Sequence, residues 1–177
     1  MSERLPIHVD PVKFADRGRS MTGALPISAC RRLLEWLESD AGDLTVELQF
    51  GLDQSGRRIL TGRVTGTLRL TCQRCLHGFD LDLDLPVGLV LVESEAEAEM
   101  LPDEIDALVV GERASMHTVD MLEDDLILAL PLIPKCPDTG MCTPAAELFD
   151  SEQLQGQDKG AWRPFSDLDD PSDHEHQ

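Results

Sequence analysis

Residues 44–70, with the sequence LTVELQFGLDQSGRRILTGRVTGTLRL, predict two β-strands joined by a short turn. Apolar and polar residues alternate along 44–50 and again along 58–70, and a period of two is typical of strands with one buried face. Residues 53–56, DQSG, have the composition of a turn. We therefore expect an antiparallel hairpin in this part of the chain.

The sequence on either side of this hairpin predicts two main helices and further strands. Apolar residues at helical spacing predict a first helix that begins at Pro26 and ends near Gly42. A second helix is predicted to follow a cap at Thr118 or Asp120 and to end before Pro131. The remaining predicted elements are strands over 79–85 (broken by Pro86), 87–92 and 105–110, and a short helix or exposed loop over 93–99. The expected fold class is α+β, with an antiparallel sheet and about two main helices.

Charge is distributed unevenly along the 177 residues, whose formal net charge is −19. Residues 1–90 carry 11 basic and 12 acidic side chains, whereas residues 91–177 carry 4 basic and 22 acidic ones. We expect a single domain over 1–148, followed by an acidic, largely disordered tail over 149–177. A sequence pI near 4.4 argues against a protein that coats nucleic acid with its whole surface.

The apolar runs and the cysteine count indicate in which cellular compartment the protein is expected. No apolar run approaches the roughly 20 residues that a membrane-spanning helix needs, and the N-terminal residues lack a secretory signal pattern. Five cysteines are an odd number, in a chain too long to need disulfides for its stability. We therefore expect a soluble, cytoplasmic protein with reduced thiols and no membrane partner.

Four cysteines form two pairs that could bind zinc. Cys72 and Cys75 form a CxxC between two predicted strands, and Cys136 and Cys142 follow the last predicted helix. Two pairs of thiolates can complete a tetrahedral Zn²⁺ site. The second pair has five intervening residues where two to four are usual, so His77 is an alternative ligand. Two other interpretations stay open, namely plain reduced thiols and a redox pair, although a redox CxxC normally begins a helix.

Four arginines are candidates for binding a nucleic acid or a protein partner: Arg57, Arg63, Arg69 and Arg74. If the second strand of the hairpin runs as predicted, Arg63 and Arg69 lie on one face of the sheet with threonines between them. Such a face could contact phosphates without discriminating bases. The alternative is a solvated face on which acidic residues of neighbouring strands pair with the arginines. Aromatic residues make up 4% of the chain, too few for the stacking surfaces usual in single-stranded RNA binding.

Established catalytic motifs are absent from the sequence. It contains no GxxxxGK[ST], GxSxG or HExxH pattern. Glu123, Asp124 and Asp125 are adjacent carboxylates, but acidic residues are common at a helix start because they interact favourably with its dipole. The sequence therefore favours a protein that is not an enzyme and has no small-molecule substrate.

Several of these segments together resemble the YceD family of large ribosomal RNA subunit accumulation proteins. The resemblance is carried by residues 71–76 (TCQRCL), 120–134 (DMLEDDLILALPLIP), 5–12 (LPIHVDPV) and 162–168 (WRPFSDL). It implies a cytoplasmic factor needed for 23S rRNA accumulation and large-subunit biogenesis, with no assigned catalytic residues. It also favours Cys136 and Cys142 as metal ligands. The chain differs at its end, which is acidic where some relatives finish basic.

The resemblance and the charge pattern together define the competing hypotheses. In the first hypothesis, the four arginines bind a 23S rRNA precursor. In the second, the acidic second half of the chain binds a basic large-subunit ribosomal protein. The charge distribution favours the second hypothesis. The rivals are a metal-dependent RNA-processing enzyme that uses the carboxylates of residues 123–125, and a zinc-stabilised adaptor. The adaptor would dock through a C-terminal segment over 162–168, with the anchors Trp162, Pro164, Phe165 and Leu168.

Overall fold

The computed structural model describes residues 4–102, 104–111, 115–137 and Cys142. These residues belong to one compact unit over Met1–Thr143. The predicted tail over 149–177 and the predicted docking segment over 162–168 lie outside the described residues, so both stay predictions. No helix within the described ranges is long and apolar enough to cross a membrane.

A five-stranded sheet is the main element of the fold. Its strand order is β2-β3-β4-β5-β6, and a separate two-stranded sheet pairs β1 with β7. The elements in chain order are β1 (His8–Val9), α1 (Pro11–Asp16), β2 (Ser20–Pro26), β3 (Asp43–Leu52), β4 (Arg58–Thr71), β5 (Gly78–Val92), α2 (Glu95–Ala98), β6 (Asp106–Val109), β7 (Met116–His117) and α3 (Glu123–Leu128), with 3₁₀ turns at Ile27–Ala29, Leu33–Trp36 and Val119–Met121. The α+β class is confirmed.

The predicted hairpin forms β3 and β4. Their register runs from Thr45 opposite Thr65 to Leu52 opposite Arg58, with a turn whose Asp53 side chain accepts hydrogen bonds from two backbone N–H groups. The apolar residues that alternate along both strands are buried, as the period of two predicts. β4 continues into a second and longer hairpin with β5, paired as far as Thr71 opposite Gly78.

The helix predicted from Pro26 to Gly42 is wrong. Two separate 3₁₀ turns occupy this region, and the buried residues Ile27, Cys30 and Leu33 recur every three positions, which is the 3₁₀ period. The backbone N–H groups of Arg32 and Leu33 bond to the carboxylate of Glu123. A tertiary contact therefore takes the donors that an α-helix would have used.

The predicted strand break at Pro86 is also wrong, because β5 runs without interruption from Gly78 to Val92. Pro86 lies opposite Arg63 of β4, whereas β6 pairs with residues 89–92 of β5. Within the described sheet, Pro86 thus has a neighbouring strand on one side, and proline in strands is found at positions of this kind.

The sheet is mixed rather than purely antiparallel. β6 pairs parallel with β5, from Leu89 opposite Asp106 to Val92 opposite Val109. The chain leaves the end of β5, forms the short helix α2 and returns to the start of the paired segment, so β6 runs in the same direction as β5. The strand predicted at 105–110 is confirmed as β6, and α2 lies within 93–99, where the sequence predicts a short helix or an exposed loop.

The second predicted helix is present, but it is shorter than predicted and begins at Glu123. A 3₁₀ turn at Val119–Met121 precedes α3, which ends at Leu128. Neither predicted cap residue makes a capping hydrogen bond, since the Thr118 hydroxyl donates to the Pro6 carbonyl instead. Leu122 and Leu126, one turn apart, are fully buried and pack α3 against the sheet core.

Candidate metal centre and neighbouring surfaces

The first cysteine pair lies in the tight connection between β4 and β5. The Cys72 N–H donates to the His77 carbonyl, and the Leu76 N–H donates to the Cys72 carbonyl, both at 2.9 Å. Leu76 adopts a left-handed backbone conformation with φ of 62°, which lets the chain reverse within this connection. The turn buries Cys72 and Cys75 and brings their thiols together.

The second pair is brought to the first by the chain that follows α3. The Gln73 N–H donates to the Pro134 carbonyl at 2.8 Å, and the Cys136 N–H donates to Cys72 Sγ at 3.3 Å. These bonds hold residues 134–136 against the CxxC turn. The longer spacing of the second pair is therefore no obstacle, since tertiary contacts position it.

The four sulfur atoms have the separation that a tetrahedral metal site needs. All four Sγ atoms lie within 4.8 Å of one another, with Cys72 and Cys142 at 4.0 Å and Cys75 and Cys136 at 3.9 Å. Zn–S bonds of about 2.3 Å in a tetrahedron place sulfurs about 3.8 Å apart. A disulfide would need about 2.05 Å, and all the cysteines are free thiols. These four cysteines could bind a metal ion, without His77 as a ligand.

Hydrogen bonds and burial shift the pKa values of the cysteine thiols. The backbone N–H of Cys136, with further backbone donors, lowers the pKa of Cys72 to about 5. The hydrogen bond with Cys142 raises the pKa of Cys136 to about 12, and burial acts in the same direction. Arg74 Nε donates to Cys142 Sγ at 2.9 Å. Without a cation, the lowered pKa of Cys72 therefore favours its thiolate and the raised pKa of Cys136 keeps that thiol protonated, so a divalent ion would displace the Cys136 proton on binding.

The structure places the four predicted arginines at separate positions, each with a partner. On the exposed face of β4, Arg63 pairs with Asp84 at 3.1 Å, and Arg69 pairs with Asp80 at 3.0 Å and with Glu38 at 3.1 Å. The other two are in turns, where Arg57 pairs with Asp53 at 2.7 Å and Arg74 contacts the cysteine cluster. The observed pairs on β4 correspond to the alternative in which acids of neighbouring strands pair with the arginines.

The carboxylates of residues 123–125 have different environments. Glu123 is 4% exposed; Oε1 accepts the N–H groups of Arg32 and Leu33 at 2.7 and 3.2 Å, and Oε2 accepts Arg32 Nε at 3.0 Å. Asp124 is exposed and pairs with Arg32 at 2.7 Å. Burial raises the pKa of Asp125. Glu123 thus joins α3 to the 3₁₀ turn at Leu33–Trp36, a contact that the sequence did not predict.

Comparison with known proteins identifies the family. The family model described as "Large ribosomal RNA subunit accumulation protein YceD" matches residues 60–170. The chain belongs to the YceD family. A relative from Haemophilus influenzae, "Large ribosomal RNA subunit accumulation protein YceD", is 30% identical over 131 residues, which cover 74% of this chain and 75% of that protein. No solved structure matches the chain.

The YceD-family match includes the residues that form the candidate metal centre. Residues 60–170 contain both cysteine pairs and the carboxylates of residues 123–125, and they reach the predicted docking segment. The family resemblance inferred from the sequence is confirmed. The anchors of that segment lie outside the described residues: Trp162, Pro164, Phe165 and Leu168.

One surface of this YceD-family chain was missed by the sequence analysis. Leu128 and Leu132 are strongly exposed and line a groove together with Trp36. A signal was present in the segment LALPLIP, whose apolar residues continue past the end of the amphipathic helix and around two prolines. Apolar residues in such a segment have no helical face to bury them, so a surface cluster could have been predicted.

Proposed function

We propose that this YceD-family protein supports 23S rRNA accumulation and large-subunit assembly as a non-enzymatic factor that binds a basic large-subunit ribosomal protein in the cytoplasm. The family name supports the process, and the charge of this chain supports the partner. With a formal net charge of −19, the protein would attract a lysine- and arginine-rich partner at low ionic strength. The same charge repels free RNA.

The observation that carries this proposal is the charge of the exposed face formed by β3, β4 and β5. Opposite Thr65, Thr67 and Arg69 of β4 lie three aspartates of β5 in register. The charged residues on this face are two arginines and five acids: Arg63, Arg69, Asp43, Glu47, Asp80, Asp82 and Asp84. Phosphates would have to displace carboxylates from both arginines, whereas a cationic partner would meet an excess of carboxylates.

We further propose that the four cysteines hold one structural Zn²⁺. The donor set of four thiols and the separation of the sulfurs both favour Zn²⁺. Four protein ligands would leave no open coordination position, as in structural rather than catalytic sites. The role of the ion would be to fasten the chain around Cys136 and Cys142 to the turn between β4 and β5.

Charge reversal separates protein binding from RNA binding. The variant R63E/R69E removes both cations from the sheet face, and R17E/R31E makes the same charge change at exposed positions away from it. Each protein is titrated with purified basic large-subunit proteins and, separately, with 23S precursor transcripts. We expect R63E/R69E to retain or strengthen protein binding. Tight binding of wild type to the transcript that is lost only in R63E/R69E would contradict the proposal and favour the RNA version.

The cellular role has its own test. Depletion of the protein should lower the ratio of 23S to 16S rRNA, and expression of the wild-type gene should restore it. Variants with asparagine at Asp80, Asp82 and Asp84 should restore the ratio poorly, because they weaken the charge that attracts the partner. An unchanged ratio after depletion would refute the process itself.

A further inference from the structure

An exposed apolar groove of about 690 Å³ lies beside the cysteine cluster. Its walls come from the 3₁₀ turn at Leu33–Trp36, the end of β4, and the end of α3 with the chain that follows it. Trp36 is 63% exposed, Leu128 is 82% exposed and Leu132 is fully exposed. Large apolar side chains exposed this close together are typical of an interaction surface rather than of ordinary solvent-facing residues.

The charge of the groove discriminates between classes of partner. Glu35 is the charged side chain among the described residues that line it, and Thr71 and Gln73 provide uncharged polar groups. A nucleic acid whose bases stacked on Trp36 would find no cation for its phosphates among the described residues of this lining. The groove therefore favours a protein segment over RNA.

A second, acidic depression of about 640 Å³ adjoins the groove. The two share a wall, since Leu37 lines the groove and the next residue, Glu38, lines the depression together with Asp43 and Asp80. The Glu38 N–H donates to the Arg69 carbonyl at 2.8 Å and fastens this wall to β4. Arg69 also lines the depression and pairs with Glu38 and Asp80, so a ligand that leaves the apolar groove across this wall meets three acidic side chains and one basic one.

We infer that the groove and the depression together bind one segment of a basic protein, which places a bulky apolar side chain against Trp36 and an adjacent lysine or arginine near Glu38. This inference rests on the proposed function, because it takes the segment to belong to a basic large-subunit ribosomal protein. An apolar anchor in a concave pocket supplies most of the binding energy of such contacts, and the flanking charges supply orientation and encounter rate.

The test uses the full chain and a matched control. L128D/L132D places two carboxylates in the groove, and L52D/M100D makes the same change at two exposed apolar residues outside its lining. Proteins extracted from purified large ribosomal subunits are separated and each is titrated against wild type and both variants. We expect binding of the basic partner to weaken about 30-fold or more in L128D/L132D and to stay unchanged in L52D/M100D.

Each of the other possible results of this titration has one interpretation. If wild type binds a basic large-subunit protein and L128D/L132D binds it equally well, the groove inference is overturned while the proposed function stands. If wild type binds none of these proteins, the proposed function fails. Loss of 23S transcript binding in L128D/L132D would make RNA the occupant, and a wild-type dimer that dissociates in this variant would make it a second copy; either result overturns the inference.

A photo-crosslinker keeps the inference testable even if L128D/L132D fails to fold. Benzoylphenylalanine in place of Leu132 adds no charge and lies on a fully exposed side chain, so it leaves the core intact. The crosslinked partner peptide should carry a lysine or arginine next to a bulky apolar residue. A crosslinked peptide without that pairing would refute the inferred chemistry.

Discussion

The replacement Glu123→Ala tests whether the carboxylates of residues 123–125 are structural or catalytic. Glu123 is 4% exposed, and its oxygens accept three hydrogen bonds from Arg32 and Leu33. Leu33 is fully buried, so its N–H would lose its acceptor without gaining water. An orphaned buried donor costs about 1–3 kcal/mol, whereas the ion pair itself adds little, because the Arg32 side chain is 52% exposed and returns to water when Glu123 is removed. The orphaned backbone donors therefore dominate, and we expect a loss of about 2–3 kcal/mol in unfolding free energy.

Two matched variants sharpen this prediction. Glu123→Gln keeps one carbonyl oxygen for the two backbone donors but turns an amide toward Arg32, so it should lose about 1–2 kcal/mol. Asp124→Ala removes a surface partner that is 71% exposed, and such pairs contribute about 0–1 kcal/mol. Urea denaturation followed by far-ultraviolet circular dichroism measures all three. A Glu123→Ala protein within about 1 kcal/mol of wild type would refute the structural role.

The same variants bear on the enzyme hypothesis. If Glu123 acts only through structure, Glu123→Gln should restore the 23S to 16S ratio in depleted cells at a temperature where the variant is folded. The variant D124N/D125N should also restore it. Loss of function in a fully folded D124N/D125N protein would favour a catalytic or metal-binding role for these carboxylates.

Two further predictions concern the metal centre and the tail. Protein purified under reducing conditions should contain about one equivalent of zinc by elemental analysis. The variant Cys75→Ser should lose the metal and unfold at a lower melting temperature. A metal-free wild type of equal stability would contradict the zinc proposal. Deletion of residues 150–177 should leave the melting temperature unchanged and reduce partner binding if the predicted docking segment acts, so full binding by the truncated chain would refute the adaptor hypothesis.

Local periodicity explains which parts of the fold the sequence could predict. β3 and β4 follow an alternation with a buried face, and the turn between them contains its own hydrogen-bonding aspartate. The region after Pro26 could not be predicted this way, because the acceptor for Arg32 and Leu33 is Glu123, about 90 residues further along the chain. Local spacing contains no information about that acceptor.

The predicted strand break at Pro86 was wrong for a related reason. Proline is incompatible with a central strand but tolerated where one side of a strand has no partner, and only the sheet order determines which case applies. The parallel pairing of β6 likewise depends on the path of the chain after β5. The four cysteines and their grouping into one site were predicted from residue type and pairing, whereas the contacts that bring the pairs together, from the Gln73 N–H to Pro134 and from the Cys136 N–H to Cys72, were not.

The candidate metal centre and the apolar groove share one segment of the chain. Pro131, Leu132 and Pro134 form part of the groove wall, and Cys136, two residues later, belongs to the cysteine cluster. Without a metal, this segment is joined to the turn after β4 by the hydrogen bonds from the Gln73 N–H to Pro134 and from the Cys136 N–H to Cys72, together with the bond from Arg74 to Cys142 and the weaker contacts between thiols. A bound ion would add two metal–sulfur bonds to this segment, through Cys136 and Cys142, and would thereby fix the groove wall. Partner binding that survives in metal-free protein would mean that these hydrogen bonds hold the wall by themselves.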